Sequence, residues 1–162
     1  MFILGLAILD PRIKSLFWQA TFFTLAHTIT LLLTTTGWIH PNVAVVEPLI
    51  AFSIVFVAIE NLFVRSVGKW RYLIVFLFGL IHGMGFAQNF QLTSADRSSF
   101  VVSLLSFNAG VELGQITVIA AFYLLIGKWY STEPWYRKYI VVPLSLLIAG
   151  VAIWWTVARV IG

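Results

Sequence analysis

The sequence predicts an all-α membrane protein, a polytopic bundle of about five transmembrane helices that follows a short N-terminal hydrophobic segment. Three observations lead to this prediction. Hydrophobic residues make up 60% of the 162 residues and charged residues only 10%, whereas an ordinary soluble domain is roughly a quarter charged. Apolar runs of about 20 residues, the length needed to cross the hydrocarbon core, recur along the chain. The basic residues fall between these runs, which favours membrane topology over nucleic-acid binding.

Five segments are long and apolar enough to cross a bilayer, and short connections with turn-forming Gly, Pro and Asp residues join them. In chain order, these predicted spans are Leu16–Thr36, Val43–Arg65, Trp70–Phe90, Phe100–Ile126 and Tyr139–Ile161. No linker or repeat indicates a second domain, so residues 1–162 are predicted to form one transmembrane domain. The preceding segment, Met1–Leu9, is too short to span and ends at Asp10-Pro11. It resembles the last two turns of a helix.

The basic residues predict the orientation. Eight of the ten Lys and Arg residues fall on one side of the predicted membrane, in the connections 10–15, 65–71 and 127–138. Only Arg97 and Arg159 fall on the other side. By the positive-inside rule the eight-residue side is cytoplasmic and the C-terminus lies outside. We expect an integral protein of the bacterial inner membrane.

Three ionisable residues are predicted to lie near the middle of the bilayer. His27, His82 and Glu112 each stand about eleven or twelve residues into a different predicted span, about halfway through a core about 30 Å thick. An ionisable group at this depth costs about 2.5–3.5 kcal/mol and usually marks a pathway or a site. We therefore expect the three side chains to converge on one water-accessible chamber.

Other polar residues accompany these three. Asn108 and Gln115 share one helical stripe with Glu112, because their spacing is i, i+4, i+7. Glu60 lies nearer the cytoplasmic end of the second span, whereas Glu47 lies near its outer end and is a candidate entrance residue. Thr24 and Asn61 complete the set of candidate pathway residues. For each of these residues alone, a structural hydrogen bond between helices, or solvation near the surface, is the alternative interpretation.

Two glycine pairs predict close helix packing. Gly79 and Gly83 bracket His82, and Gly110 and Gly114 bracket Glu112. Small residues four apart allow two helix backbones to approach closely. We expect each pair to seat its helix against a neighbour.

The donor types limit the chemistry. Imidazole, carboxylate and amide groups suit a borderline divalent transition metal ion, such as nickel, cobalt, zinc, copper(II) or iron. The chain has no cysteine, which excludes thiolate sites. It has no Gly-rich nucleotide-binding motif and no nucleophile motif, so we predict neither an enzyme nor an ATP-driven pump. We expect the metal to be cargo, with no permanently bound cofactor.

Three of the predicted spans carry the motifs FTLAHTITL at 23–31, FGLIHGMGFA at 78–87 and FNAGVELGQ at 107–115, and Glu60-Asn61 closes the second span. These motifs resemble those of the HupE/UreJ family of hydrogenase and urease accessory membrane proteins. The resemblance covers nearly the whole chain.

The resemblance implies a secondary permease for nickel, cobalt or another divalent metal, which supplies the maturation of enzymes such as hydrogenase and urease. It implies metal-handling roles for His27, His82, Asn108, Glu112, Gln115 and Glu60. Possible partners are maturation proteins or further copies of the chain, and no nucleic acid is expected. Family members usually begin with another helix that carries a His and an Asp-His pair. Those residues are absent here, so we expect either that the first helix is shortened or that the start of the chain is assigned too late.

Two alternatives remain at this stage. His27 and His82, level on two helices, match the axial ligands of a haem in an electron-transfer subunit. The chain could also be a non-transporting accessory subunit whose polar residues only hold its helices together.

Overall fold

The structure is a computed structural model that describes residues 1–87 and 97–161, with the side chains of 97–100 excluded. The described chain is helical and contains no strand. Its helices are α1 Phe2–Leu9, α2 Ile13–Thr35, α3 Val43–Phe63, α4 Lys69–Phe86, α5 Arg97–Phe122, α6 Lys128–Tyr130 and α7 Val142–Ile161. A π-helical turn, Tyr123–Gly127, joins α5 to α6, and a second, Arg137–Val141, leads into α7. The all-α prediction is confirmed.

Four helical stretches of the described chain are long and apolar enough to cross a membrane. They are Ile13–Thr35, Val43–Phe63, Val101–Tyr130 and Arg137–Ile161. The third predicted span corresponds to α4, which has 18 residues and is about 27 Å long. It is less apolar because Lys69 and Arg71 occupy its first turn, and residues 88–90 of that prediction lie outside the described part. The polytopic bundle is therefore confirmed with four such spans, and α4 packs among them.

The connection between α2 and α3 shows how local sequence sets helix boundaries. Gly37 has a φ of +81°, a conformation that glycine adopts without strain. The amides of Gly37 and Trp38 donate to carbonyls in the last turn of α2 at 3.1 and 2.9 Å, which is the Schellman pattern of a helix end. Asn42 then begins α3 by accepting a hydrogen bond from the Ala44 amide at 3.0 Å.

Helices α2 and α4 form the closest seam of the bundle. A Cβ atom at Gly79 would lie 2.6 Å from the Phe23 carbonyl oxygen, and one at Gly83 would overlap the His27 carbonyl oxygen and the Thr30 hydroxyl. Thr30 donates a 2.7 Å hydrogen bond across the seam to an α4 backbone carbonyl. Residue numbers rise in the same direction along both helices, so the two run parallel. The packing predicted for the α4 glycines is confirmed.

Helix α5 is more loosely held. No atom lies within 4 Å of a Cβ built at Gly110 or Gly114, so the prediction that these glycines seat α5 against another helix of the described chain is wrong. Only 11% of the α5 apolar window is buried, against 44%, 39% and 28% for the other three candidate spans. The two glycines lack a neighbour because α5 turns its amide side chains toward α2 and its glycines outward.

Helix α1 fills the interior of the bundle. Its eight residues pack against α2, α3, α5 and α7, and most of its side chains are buried. At its amino end, the Phe2 ring contacts Phe23 and His82, with centroid distances of 5.2 and 5.3 Å. At its carboxyl end, the Tyr136 hydroxyl donates to the Ile8 carbonyl at 3.0 Å. The hydrophobic segment at the start of the chain is therefore a two-turn core helix.

The three basic connections lie at one end of the bundle. Besides the contact between Tyr136 and α1, the Arg137 guanidinium donates to the Leu62 carbonyl at 2.7 Å near the end of α3. At the opposite end, Arg159 Nε lies 3.6 Å from Glu47 Oε2. The sorting of basic residues to one end thus agrees with the fold.

Candidate functional site

His27 is a buried imidazole that has no hydrogen-bond partner among the described residues. Its side chain lies on α2 and has 0% exposure, and neither ring nitrogen is hydrogen-bonded within the described residues. The rings of Phe23, Phe86 and Phe107 surround it, with centroids 6.1, 5.4 and 6.2 Å away. Leaving a buried polar group unpaired costs about 1–3 kcal/mol. An orphaned imidazole in such a place is a candidate ligand site.

His82 carries a fixed tautomer. Its Nδ1 lies 2.8 Å from the Phe78 carbonyl oxygen, and a carbonyl only accepts, so Nδ1 bears the hydrogen. The lone pair then lies on Nε2, which is the arrangement that orients metal-binding histidines. The ring is 6% exposed and contacts Phe2 and Phe23, at 5.3 and 5.0 Å. His82 therefore offers one neutral nitrogen donor in a largely apolar surrounding.

The structure brings the two histidines together. Both imidazoles contact the ring of Phe23, with centroid distances of 6.1 Å for His27 and 5.0 Å for His82. The backbones that carry them belong to α2 and α4, which the glycine seam holds in a fixed register. Two of the three expected midplane groups thus contact the same aromatic ring.

Glu112 does not join them. It is exposed and lines an apolar groove of about 300 Å³ whose α2 wall is made by Ile13, Phe17, Ala20 and Thr21. Within the described residues, no group of three or more His, Asp or Glu side chains is arranged to hold a metal ion. The expected convergence of three ionisable groups is therefore wrong. On a helical wheel Glu112 lies about 40° beyond Asn108, enough to place it at the edge of the contact with α2.

The amide residues of α5 face α2. The Thr28 hydroxyl donates to Asn108 Oδ1 at 2.8 Å, and the Thr24 hydroxyl donates to Gln115 Oε1 at 3.3 Å. Thr28 was not among the predicted residues, although its position four after Thr24 on the same face could have indicated it. These two bonds form a polar seam on the helix that carries His27. The bonds can hold α5 against α2, and the same polar side chains can also line an ion path.

Glu60 and Asn61 lie at the basic end and bind an arginine. Arg71 Nη1 lies 3.1 Å from Glu60 Oε2, and both Arg71 Nη atoms donate to Asn61 Oδ1 at 3.2 Å. Asn61 Nδ2 in turn donates to the Gly5 carbonyl at 2.7 Å. Arg71 is 2% exposed. The sequence identified this arginine only as a topology signal, because nothing in its spacing indicates a buried partner.

Glu47 lies at the opposite end, in a pocket of about 200 Å³. The pocket is lined by Glu47, Ile50, Gly85, Phe86 and Arg159. Phe86 forms part of this pocket and also packs edge-on against the His27 ring. A single aromatic side chain therefore contacts both the pocket and the buried imidazole.

The bundle of apolar spans with a buried imidazole pair defines an integral membrane protein of the polytopic helical class. Comparison with known families then identifies the group. The family model described as HupE / UreJ protein matches residues 1–159, so the chain belongs to the HupE/UreJ family, a membrane accessory and transporter family. This confirms the resemblance of the three motifs. Comparisons with curated proteins and with solved structures each give no match.

Proposed function

We propose that this chain is a secondary permease for a divalent transition metal ion, nickel first and cobalt second, that supplies metalloenzyme maturation. The observation that carries the proposal is the imidazole pair: His27 with both nitrogens unpaired, and His82 with its Nε2 lone pair directed by the bond from Nδ1 to a carbonyl. Neutral imidazole is a good ligand for nickel and cobalt. The metal is cargo and not a resident cofactor.

The sparse donor set favours passage over permanent retention. An ion that crosses a membrane must bind strongly enough to enter and weakly enough to leave. Two imidazole nitrogens, with no carboxylate grouped beside them among the described residues, meet this requirement better than a closed shell does. The side-chain oxygens of Asn108 and Gln115 provide weaker metal-ligand atoms along the contact between α2 and α5. Glu60 and Glu112 lie apart from the imidazoles, so we assign them no contact with the ion there.

The pocket at Glu47 is the proposed entrance. A carboxylate at its mouth attracts cations, and displacement of Arg159 from Glu47 would release that carboxylate to the ion. From the pocket the ion passes Phe86, reaches His27 and His82, and leaves at the basic end. By the positive-inside rule the basic end is cytoplasmic, so the proposed movement is uptake across the bacterial inner membrane.

The test is metal flux into liposomes that contain only the purified protein. We expect the wild type to admit radioactive nickel, and His27→Ala and His82→Ala to lose this flux. The matched control is His40→Ala, because His40 is exposed in the connection between α2 and α3. Equal reconstitution of the four proteins is checked by gel. Flux that survives both substitutions would remove the proposed site.

A non-transporting accessory subunit is the second candidate. The bonds from Thr28 to Asn108 and from Thr24 to Gln115 favour it, because they clasp α5 to α2. This candidate predicts no nickel flux from wild-type protein alone, together with reduced protein abundance when the threonines are replaced by valine. An absorbance scan of the same purified protein tests the haem alternative directly.

A further inference from the structure

The basic end of the bundle contains a polar pocket that the proposed metal path does not use. The pocket has a volume of about 270 Å³ and lies between the starts of α2 and α4. It is lined by Arg12, Lys14, Ser15, Trp18 and Tyr72. Two cations, two hydroxyls and two aromatic rings therefore converge at one end of the bundle.

The two cations face outward. Arg12 Nε and Nη2 donate to the Asp10 carboxylate at 2.7 and 3.0 Å, yet the Arg12 side chain is 71% exposed and that of Asp10 only 6%. Burial alone would raise the pKa of Asp10, but the hydrogen bonds from Arg12 hold the pKa below its ordinary value. Asp10 therefore stays ionised and orients the guanidinium from behind. Lys14 has no ion-pair partner in the described chain, so the pocket retains a positive charge.

The two hydroxyls are hydrogen-bonded to each other and to neighbouring side chains. Ser15 Oγ and the Tyr72 phenol oxygen lie 3.3 Å apart, and Gln19 Nε2 donates to Ser15 Oγ at 3.2 Å. Ser15 also hydrogen-bonds the Asp10 carboxylate, which only accepts, so Ser15 donates to Asp10 and Tyr72 donates to Ser15 Oγ. The donors that the pocket presents to a ligand are therefore a guanidinium N–H and an ammonium. This combination matches a phosphate, whose several oxygens all accept.

An exposed apolar strip leads away from the pocket along α2. Trp18, Phe22, Leu25 and Ile29 follow one face of the helix and are 47%, 37%, 53% and 41% exposed. The Phe22 ring lies 6.2 Å from Trp18 and 6.0 Å from Tyr72, so the strip is continuous with the pocket. A pocket for a headgroup beside an apolar surface for an acyl chain fits a phospholipid better than a free ion.

We propose that this pocket binds the phosphate group of an anionic phospholipid, with the lipid tail along the α2 strip. Clusters of Lys and Arg at the membrane surface attract anionic lipids, and hydrogen bonds from charged donors to phosphate are the strong ones. The bound lipid links the first turn of α2 to that of α4. The proposal is independent of metal transport.

Thermal unfolding of the purified protein in a neutral detergent tests it. At a phosphatidylglycerol concentration about a hundred times Kd, the midpoint should rise by about 5–10 °C. Phosphatidylcholine and inorganic phosphate should each give a smaller rise. Lys14→Gln should reduce the phosphatidylglycerol shift, and Lys14→Arg should restore it. The control is Lys69→Gln, because Lys69 is exposed at the same end and outside the pocket.

Three outcomes would overturn the proposal. An equal shift with phosphatidylcholine would remove recognition of the negative headgroup, and an equal shift with inorganic phosphate would replace the lipid by a free anion. An equal loss in Lys69→Gln would assign the effect to general surface charge. Native mass spectrometry gives a second measurement that needs no unfolding, with phosphatidylglycerol retained by the wild type and released from Lys14→Gln.

Discussion

The α2–α4 seam makes a sharp prediction for Gly83→Ala. The added methyl group would overlap the His27 carbonyl oxygen and the Thr30 hydroxyl. The carbonyl belongs to a helix backbone and cannot rotate away, so α2 must move off α4. That movement also stretches the 2.7 Å hydrogen bond from Thr30 across the seam. It displaces the backbone of His27 relative to His82, so the imidazole pair is disturbed as well.

The magnitude follows from three opposing effects. Alanine in a helix is favoured over glycine by about 0.8–1.0 kcal/mol. Overpacking a close contact costs about 1–3 kcal/mol, and the loss of a hydrogen bond costs about 0.5–1.5 kcal/mol. The net expectation is destabilisation by about 2 kcal/mol. For a chain of this length that corresponds to a fall in the unfolding midpoint of about 4–8 °C.

The assay is thermal unfolding in detergent, with nickel flux measured on the same preparations. Gly110→Ala and Gly114→Ala are the matched controls, because no atom of the described residues lies within 4 Å of either added methyl group. We expect both controls to be as stable as the wild type or slightly more stable, with normal flux. If Gly83→Ala proved as stable as these two, the close approach of α2 and α4 would be refuted.

Three further predictions follow from the same structure. Arg71→Gln should destabilise the protein by about 3–5 kcal/mol, because it leaves the Glu60 carboxylate without its partner. Thermal unfolding should show this loss of stability, whereas Lys69→Gln should leave the unfolding midpoint almost unchanged. Phe86→Ala should increase the rate at which diethyl pyrocarbonate modifies His27 from the outer face, as read by peptide mass spectrometry, and an unchanged rate would contradict the contact between Phe86 and the pocket. Burial raises the pKa of Tyr136 from 10.0 to about 12. The contribution of the neutral phenol to the free energy of unfolding should therefore be complete below pH 10 and be lost as the pH rises toward 12. Tyr136→Phe should lack this alkaline loss in a pH series of melting curves.

Much of the fold could be predicted because it depends on local pattern. The helices, the sorting of basic residues to one end and the close packing at Gly79 and Gly83 follow from hydropathy, charge and the spacing of small residues. The approach of the helices that carry His27 and His82 could be predicted for a similar reason. Both residues lie at similar depth on helices whose glycine seam sets their register.

The rotation of α5 could not be predicted. The stripe of Asn108, Glu112 and Gln115 is present, but a stripe about 60° wide does not show which edge faces the neighbouring helix. That choice depends on the threonines of α2 and on the packing of α1, which are tertiary contacts. The partner of Glu60 was missed for a related reason, since Arg71 comes from the next helix and its burial depends on how α3 and α4 cross.

The slight burial of α5 has a consequence for motion within the bundle. The backbones of α2 and α4 pack directly against each other at Gly79 and Gly83. In contrast, two side-chain hydrogen bonds hold α5 to α2. Although α5 also packs against α1, we expect it to tilt more readily than α2 separates from α4. In the proposed transport, His27 must be accessible first from one side of the bilayer and then from the other. We expect α5 to move between these two states while α2 and α4 keep their positions.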